Sequence, residues 1–81
     1  MVKHCHIPRR EIAKDILEYC KEKKKRFFVS KYAAGKIMNL DERRTYSPRE
    51  LSAGMNYLHK KKVMTPVSNS RWKVESYEME D

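Results

Sequence analysis

Apolar residues recur at helical spacing in the first third of the chain. Ile12, Ile16 and Cys20 follow one another at intervals of four, and side chains at this interval lie on one face of an α-helix. The full stripe comprises Ile12, Ala13, Ile16, Leu17, Tyr19 and Cys20. A helix is therefore predicted over residues 9–23. The basic run at 21–26 is expected to end it in solvent, because cations are favourable at a helix C-terminus.

Shorter patterns follow this first helix. Phe27–Val29 is aromatic and β-branched, which favours a short strand. Ser30 suits the N-cap of a second helix over residues 31–40, whose apolar residues share a face. That face consists of Ala33, Ile37 and Leu40. The polar residues 41–46 are predicted to form a loop.

The segment that begins at Ser47 carries a strong helix signal. The Ser47 hydroxyl can accept a hydrogen bond from the N–H three residues on, and Glu50 can reach back to complete a capping box. Pro48 lies in the first turn, where no N–H is needed. The apolar face of this third helix consists of Leu51, Met55 and Leu58, and the opposite face of Arg49, Ser52, Ala53, Asn56 and Lys60.

A β-hairpin is predicted after the third helix. Two short strands, at 63–65 and 71–74, flank a segment that is rich in turn-forming residues. Alternation along the second strand places Trp72 on the face opposite to Arg71 and Lys73. We therefore expect Trp72 to pack against the helices and the two cations to face solvent.

This succession of elements, with the residues that form them, resembles a known family. Residues 9–76 are similar to winged helix-turn-helix DNA-binding domains, and above all to small uncharacterised winged-helix proteins of archaea. The motifs that carry the resemblance are Arg26–Lys31 (RFFVSK), Ser47–Leu51 (SPREL) and Ser70–Val74 (SRWKV). The resemblance implies an α+β fold in the order H-β-H-H-β-β, with a three-helix core and a small antiparallel sheet. It also implies binding of duplex DNA.

Length and composition predict one domain with short extensions. We expect a flexible N-terminal arm at residues 1–7, a winged-helix domain at 8–75 and an acidic tail at 76–81. No run of 18 apolar residues and no export signal is present, so a cytoplasmic, nucleoid-associated protein is expected. Two cysteines outside any CxxC pair fit a reduced compartment. A monomer or weak homodimer is expected, without contact to a membrane.

The net charge of the chain indicates which class of partner to expect. The chain has a net charge of +8, and its acidic end, residues 74–81, contributes four carboxylates and no base. Residues 1–73 therefore carry about +12, which favours polyanionic partners and double-stranded DNA first. The expected function is that of a small transcriptional regulator or chromosome-associated factor.

Candidate DNA contacts follow from the resemblance, in which the third helix enters the major groove. Residues expected to contact bases are Arg49, Ser52, Ala53 and Asn56, since Arg can bind guanine and Asn adenine bidentately. Ala53 and Gly54 are expected to keep this helix slim for close approach. Residues expected to contact phosphates are Lys31, Arg43, Arg44, Lys60, Lys61, Lys62, Arg71 and Lys73. The alternative for each is a solvated surface position.

Other functions remain open at this stage. A protein-interaction module in a transcription or replication assembly would bind an acidic protein through exposed tyrosines, namely Tyr32, Tyr46, Tyr57 and Tyr77. An RNA-associated or ribosome-associated binder is a further alternative. The tail could also fold back over the basic surface and compete with nucleic acid. We expect no enzyme and no cofactor, and no metal at His4, Cys5 and His6, because a fourth ligand is not evident.

Overall fold

The structure is a computed structural model that describes residues 8–41, 43–68 and 71–79. This described part is a small α+β domain with three helices and two antiparallel sheets. The helices are α1 (Arg9–Lys23), α2 (Ser30–Ala33) and α3 (Pro48–Lys60). The strands are β1 (Phe27–Val29), β2 (Met38–Asn39), β3 (Arg44–Thr45), β4 (Met64–Pro66) and β5 (Arg71–Val74).

Helix α1 confirms the predicted helix at both ends. Its apolar stripe is buried, with Tyr19 at the margin. The helix ends in a Schellman motif, in which Lys25 N–H donates to Cys20 O at 2.9 Å and Lys24 N–H to Lys21 O at 3.2 Å. Lys24 holds the left-handed position of this motif with φ of 54°, although glycine is the usual residue there. The first residue of the basic run after the helix, Lys24, therefore has a strained backbone conformation.

Helix α3 packs directly on α1 through a glycine. The helix buries Leu51, Met55 and Leu58, as predicted, and Gly54 lies between them on the same face. A Cβ at Gly54 would lie 2.6 Å from Ile12 Cγ2 and 2.8 Å from Ile16 Cδ1. The expectation that Gly54 slims the exposed side of the helix is therefore wrong, since its missing side chain lets α1 approach.

The three-stranded sheet has the order β1-β5-β4, with both pairs antiparallel. The predicted hairpin is confirmed, except that Pro66 belongs to strand β4 rather than to the turn. Phe28 pairs with Trp72 on the inner face, and Phe27 pairs with Lys73 on the outer face. Exposure follows this alternation, because Phe28 is 1% exposed and Phe27 is 42% exposed. The sheet therefore covers the helices with one face and offers the other to solvent.

The region predicted as a second helix at 31–40 is mostly not helical, and the predicted element order is corrected accordingly. Helix α2 is a single turn, since Gly35 adopts φ of 83° two residues after its end. Strand β2 follows and pairs with β3, which lies in the predicted loop. Leu40 was expected in the core but is 77% exposed. The predicted N-cap hydrogen bond of Ser30 lies outside what the structure describes.

A buried polar cluster fastens the small β2–β3 sheet to α1. Asn39 donates through Nδ2 to Tyr46 Oη at 2.9 Å and to Glu11 Oε1 at 3.1 Å. Tyr46 Oη donates in turn to Asp15 Oδ2 at 2.5 Å. Burial raises the pKa of Asp15 and of Tyr46 above their usual values. Because Tyr46 is only 1% exposed, its expected role as an interface anchor is wrong.

One apolar core is formed mainly by the three helices and by strands β1 and β4. Its buried members are Ile12, Ala13, Ile16, Leu17, Cys20, Phe28, Ala33, Ile37, Tyr46, Leu51, Met55, Leu58, Val63 and Met64. Burial raises the pKa of the Cys20 thiol to about 12, so Cys20 behaves as a small apolar residue here. Among the described helices, none has the length and apolar character needed to cross a membrane.

Candidate nucleic-acid interface

The side of α3 that faces away from α1 is polar and basic. Arg49, Asn56 and Lys60 follow one another at helical spacing and are exposed. Ser52 is exposed beside them, while Ala53 is half-buried at the centre of the stripe. The residues predicted to contact bases therefore share one surface, and the side chain of Ala53 between them is small.

The first turn of α3 is fixed by the predicted capping box and by an ion pair. Glu50 N–H donates to Ser47 Oγ at 3.2 Å, and Ser47 N–H donates to Glu50 Oε1 at 2.9 Å. Arg44 of β3 forms a bidentate pair with the same carboxylate, at 2.8 and 2.5 Å. The Arg44 hydrogen bonds lower the pKa of Glu50 to about 2. The only acid on α3 is thus ionised and paired at neutral pH.

This pairing changes the role of Arg44. It was predicted as a phosphate contact, yet its guanidinium is engaged by Glu50 and holds β3 against the start of α3. Arg43, next to it, is exposed in the turn between β2 and β3. The β2–β3 sheet therefore brings the Arg44 guanidinium to the N-terminal end of α3.

The C-terminal end of α3 carries a lysine run, and the chain turns sharply there. Lys60 ends the helix, and Lys61 and Lys62 are exposed after it. Val63 N–H donates to Leu58 O at 2.9 Å while Lys62 adopts φ of 62°, which is again a Schellman arrangement. Lys61 Nζ lies 5.6 Å from the centroid of the Tyr57 ring. The three cations are thus clustered where α3 passes into β4.

The β4–β5 hairpin is held to α3 by a histidine and the tryptophan. The His59 and Trp72 rings meet edge to face, with centroids 5.8 Å apart. His59 Nδ1 also lies 3.3 Å from Met64 O. Trp72 is half-buried and packs against the core, as predicted. The sequence did not indicate that His59 contacts the hairpin, although its position one turn before the hairpin is the signal that could have shown it.

The outer face of the sheet carries the two remaining predicted cations of the hairpin. Arg71 and Lys73 are exposed on β5, on the side away from Trp72. The Arg71 guanidinium lies 5.0 Å from the centroid of the Phe27 ring on β1. Phe27 is a member of this surface that the sequence did not indicate as exposed.

Lys31 lies apart from these groups, on α2. Its side chain is exposed, with Nζ 5.2 Å from the centroid of the Tyr32 ring. Helix α2 is a single turn with few aligned peptide dipoles, so a phosphate contact at Lys31 would depend on the ammonium group itself.

Four acidic side chains lie on α1, whereas Glu50 and Glu75 lie beside cations of β3 and of the hairpin. Glu11, Asp15, Glu18 and Glu22 recur at helical spacing along one side of α1. In the tail, Tyr77 and Met79 pack against the core, and Tyr77 Oη donates to Lys25 O at 2.5 Å. Glu78 lies with them in a groove along Arg10, Lys14 and Lys21 of α1. Tyr77, Glu78 and Met79 thus lie along α1.

The structure describes no grouping suited to a metal. Within residues 8–41, 43–68 and 71–79, no three His, Cys, Asp or Glu side chains come close enough to hold an ion. His4, Cys5 and His6 lie outside these ranges.

Comparison with known proteins gives no family to this arrangement. No protein-family model matches the chain, and neither a curated protein nor a solved structure is similar to it.

Proposed function

We propose that the protein is a winged-helix DNA-binding protein in which α3 enters the major groove of a duplex. The β4–β5 hairpin is the wing, and it lies on the flanking phosphates. The biological role that fits such a protein is that of a small transcriptional regulator or chromosome-associated factor. Its partner in this proposal is double-stranded DNA, and no catalytic step is involved.

The observation that carries the proposal is the distribution of charge along the exposed stripe of α3. Arg49 and Lys60 lie near the two ends of this stripe, about 17 Å apart along the helix axis at 1.5 Å per residue. The major groove is about 12 Å wide, so cations at both ends suit the phosphates on its two sides. Between them Asn56 has the chemistry to bind adenine, and Ala53 leaves room for close approach.

Three further features support this orientation. The single acid of α3, Glu50, is neutralised by Arg44 and does not repel a phosphate. The sheet order β1-β5-β4, with a hairpin directly after α3, fits the wing. The contact between His59 and Trp72 holds that hairpin at a fixed place beside α3.

One feature differs from an ordinary helix-turn-helix motif. Such a motif joins its two helices by a turn of about three to four residues, whereas residues 34–47 separate α2 from α3 here and include the β2–β3 sheet. The proposal therefore rests on α3 and the wing. The β2–β3 sheet replaces the missing turns of the second helix and fixes α3 through the Arg44–Glu50 pair.

Fluorescence anisotropy with a labelled random-sequence duplex tests the proposal. Phosphate neutralisation should supply most of the affinity, so binding should weaken steeply between about 50 and 200 mM salt. Lys60→Gln should weaken all duplexes alike and reduce the salt slope by about 1. Asn56→Ala should leave the slope unchanged and relax base preference in a selection from random sites.

Lys14→Gln is the matched control, because Lys14 is an exposed lysine of α1 that lies beside the tail. It removes the same charge as Lys60→Gln from a different surface. Equal losses of affinity for these two variants would mean that net charge, rather than the α3 surface, governs binding. Absence of duplex binding at low salt would contradict the proposal as a whole.

A second candidate function, a protein-interaction module in a transcription or replication assembly, is favoured by a different surface. Met38 and Leu40 are 47% and 77% exposed and line one groove with Glu18 and Glu22 of α1. Exposed apolar groups that lie together are typical of protein contacts, and the acidic neighbours disfavour DNA there. Sedimentation of the wild type and of Leu40→Ser, alone and with candidate partners, tests this function. Identical behaviour of the two proteins would contradict it.

A further inference from the structure

Two exposed aromatic rings line a groove that the duplex proposal does not use. Phe27 of β1 is 42% exposed and Tyr32 of α2 is 67% exposed, although burial of these side chains would be favourable. The groove has a volume of about 120 Å³, and Tyr19 and Phe28 contribute to its lining. Exposed aromatic rings of this kind are suited to bind a ligand that has flat, partly apolar groups.

Each of the two rings has a cation close to it. The Arg71 guanidinium lies 5.0 Å from the centroid of Phe27, and Lys31 Nζ lies 5.2 Å from the centroid of Tyr32. The rings are therefore accompanied by positive charge from two different elements, β5 and α2.

Further positive charge lines the groove itself. Lys25 and Lys36 are both exposed at its edge, and no described acidic side chain lines it. The Lys25 carbonyl is fixed by the Tyr77 hydroxyl, which holds this edge of the groove in place. Glu75 lies in the neighbouring groove, where it accepts a hydrogen bond from Thr65. The charged side chains that line the groove itself are thus both cationic, although Glu75 lines the neighbouring groove with Phe27.

Aromatic rings interleaved with cations match the chemistry of unpaired nucleotides. Successive bases stack on exposed rings, and the phosphates between them are bound by Lys and Arg. Bases in a duplex are already stacked on one another and cannot offer their faces to such rings without being extruded. A free phosphate would use the cations but would leave the Phe27 and Tyr32 rings exposed to solvent.

We propose that the groove between Phe27 and Tyr32 binds single-stranded nucleic acid. One base stacks on each of these rings, and the phosphates contact Lys25, Lys36 and Arg71. This site shares Arg71 with the proposed wing, but its two rings and its lysines lie outside the outward stripe of α3, and its existence does not depend on duplex binding. A protein with both surfaces would hold a duplex on α3 and an adjoining unpaired strand on the outer edge of the sheet.

Anisotropy measurements with labelled oligo-dT and oligo-U of about 15 nucleotides, and with a duplex, test the proposal at low salt. The variants are Phe27→Leu and Tyr32→Leu, which keep an apolar side chain at exposed positions and remove the ring. Each should lower single-strand affinity about five-fold or more, and leave duplex affinity within about two-fold. Lys36→Gln should weaken single-strand binding and its salt dependence without removing any ring. Circular dichroism shows whether each variant is folded.

Lys14→Gln is the matched control, since it removes the same charge as Lys36→Gln from an exposed position of α1 outside the groove, and it should weaken single-strand binding less than Lys36→Gln does. Asn56→Ala should affect the duplex alone, so failure of the groove proposal and failure of the duplex proposal are distinguishable. Binding of only one of the two oligonucleotides would support the site and identify its ligand as DNA or RNA. The proposal is overturned if the wild type binds neither oligonucleotide, if the ring variants bind them like the wild type, or if those variants lose duplex affinity equally.

Discussion

The close packing of α1 on α3 at Gly54 makes Gly54→Ala a sharp test of how the proposed recognition helix is held. The added Cβ would meet Ile12 Cγ2 at 2.6 Å, Ile12 Cβ at 3.2 Å and Ile16 Cδ1 at 2.8 Å. The Ile16 methyl is the end of a flexible side chain and can move. The two Ile12 atoms are attached close to the α1 backbone, so relief there requires a shift of the helix itself.

Two opposing effects set the expected magnitude. Overpacking of a buried site costs about 1–3 kcal/mol. Replacing glycine by alanine inside a helix contributes up to about 1 kcal/mol in the opposite direction, through helix propensity. Because two of the contacts are shorter than 3 Å, the cost is expected in the upper part of its range, and the net expectation is a loss of about 1–2 kcal/mol in the free energy of unfolding.

Urea unfolding followed by circular dichroism measures this loss. With a slope of about 1 kcal/mol per molar urea, the midpoint should fall by about 1–2 M. Ser52→Ala, at an exposed position of the same helix, should instead leave the midpoint unchanged or raise it slightly. Adding Ile16→Val, which removes the Cδ1 methyl, should recover part of the loss. An unchanged or higher midpoint for Gly54→Ala would refute the close contact between α1 and α3.

Three other predictions concern the surroundings of α3 and the end of α1. Because the pKa of Glu50 is lowered from 4.5 to about 2, its carboxylate stabilises the fold above pH 4.5, and this is lost as pH falls towards 2. Between pH 4.5 and 2, the urea midpoint should therefore change less for Glu50→Gln than for the wild type. An equal change of the midpoint with pH in the two proteins would contradict the pair of Glu50 with Arg44. Tyr46→Phe should lower the free energy of unfolding by about 1–3 kcal/mol, since it removes a hydrogen-bond partner of Asn39 and Asp15; an unaltered melting curve would contradict this. Lys24→Gly should stabilise by about 0.5–1 kcal/mol in thermal melts by relieving a positive φ, and a destabilised variant would count against that conformation.

The long elements of the fold follow from local sequence signals. Helices α1 and α3 each carry an apolar stripe at helical spacing, and α3 also has its capping box, so both were predicted with nearly correct ends. The sheet strands β1 and β5 follow from aromatic and β-branched residues and from alternation. These signals act within a few residues, and therefore a single sequence is enough to detect them.

The region between α2 and α3 depends on distant contacts and was predicted wrongly. Ile37 and Leu40 fit a helical face, but Gly35 is a residue that commonly ends a helix. The alternation of buried Ile37 and Asn39 with exposed Met38 is that of a strand. Asn39 is buried only because Tyr46 and α1 satisfy its amide. No local sequence pattern predicts the hydrogen bonds of Asn39 with Tyr46 and with α1.

The candidate surfaces also depend partly on local sequence signals and partly on contacts between distant residues. The exposed stripe of α3 follows from helical periodicity, so the positions of Arg49 and Asn56 were predictable. The pairing of Arg44 with Glu50 and the exposure of Phe27 depend on how β3 and β1 pack in three dimensions. Gly54 lies three residues from Leu51 and four from Leu58, so its buried position could have been found from the same periodicity.

The central claim is that the outward face of α3 and the wing bind duplex DNA, and NMR titration tests it most directly. Amide shifts of an isotope-labelled protein would be followed while a short duplex is added. We predict that the largest changes fall on residues 49–60 and on 71–73, with little change along Glu18 and Glu22 of α1. Changes confined to α1 or to the β2–β3 sheet, or no change at low salt, would contradict the account.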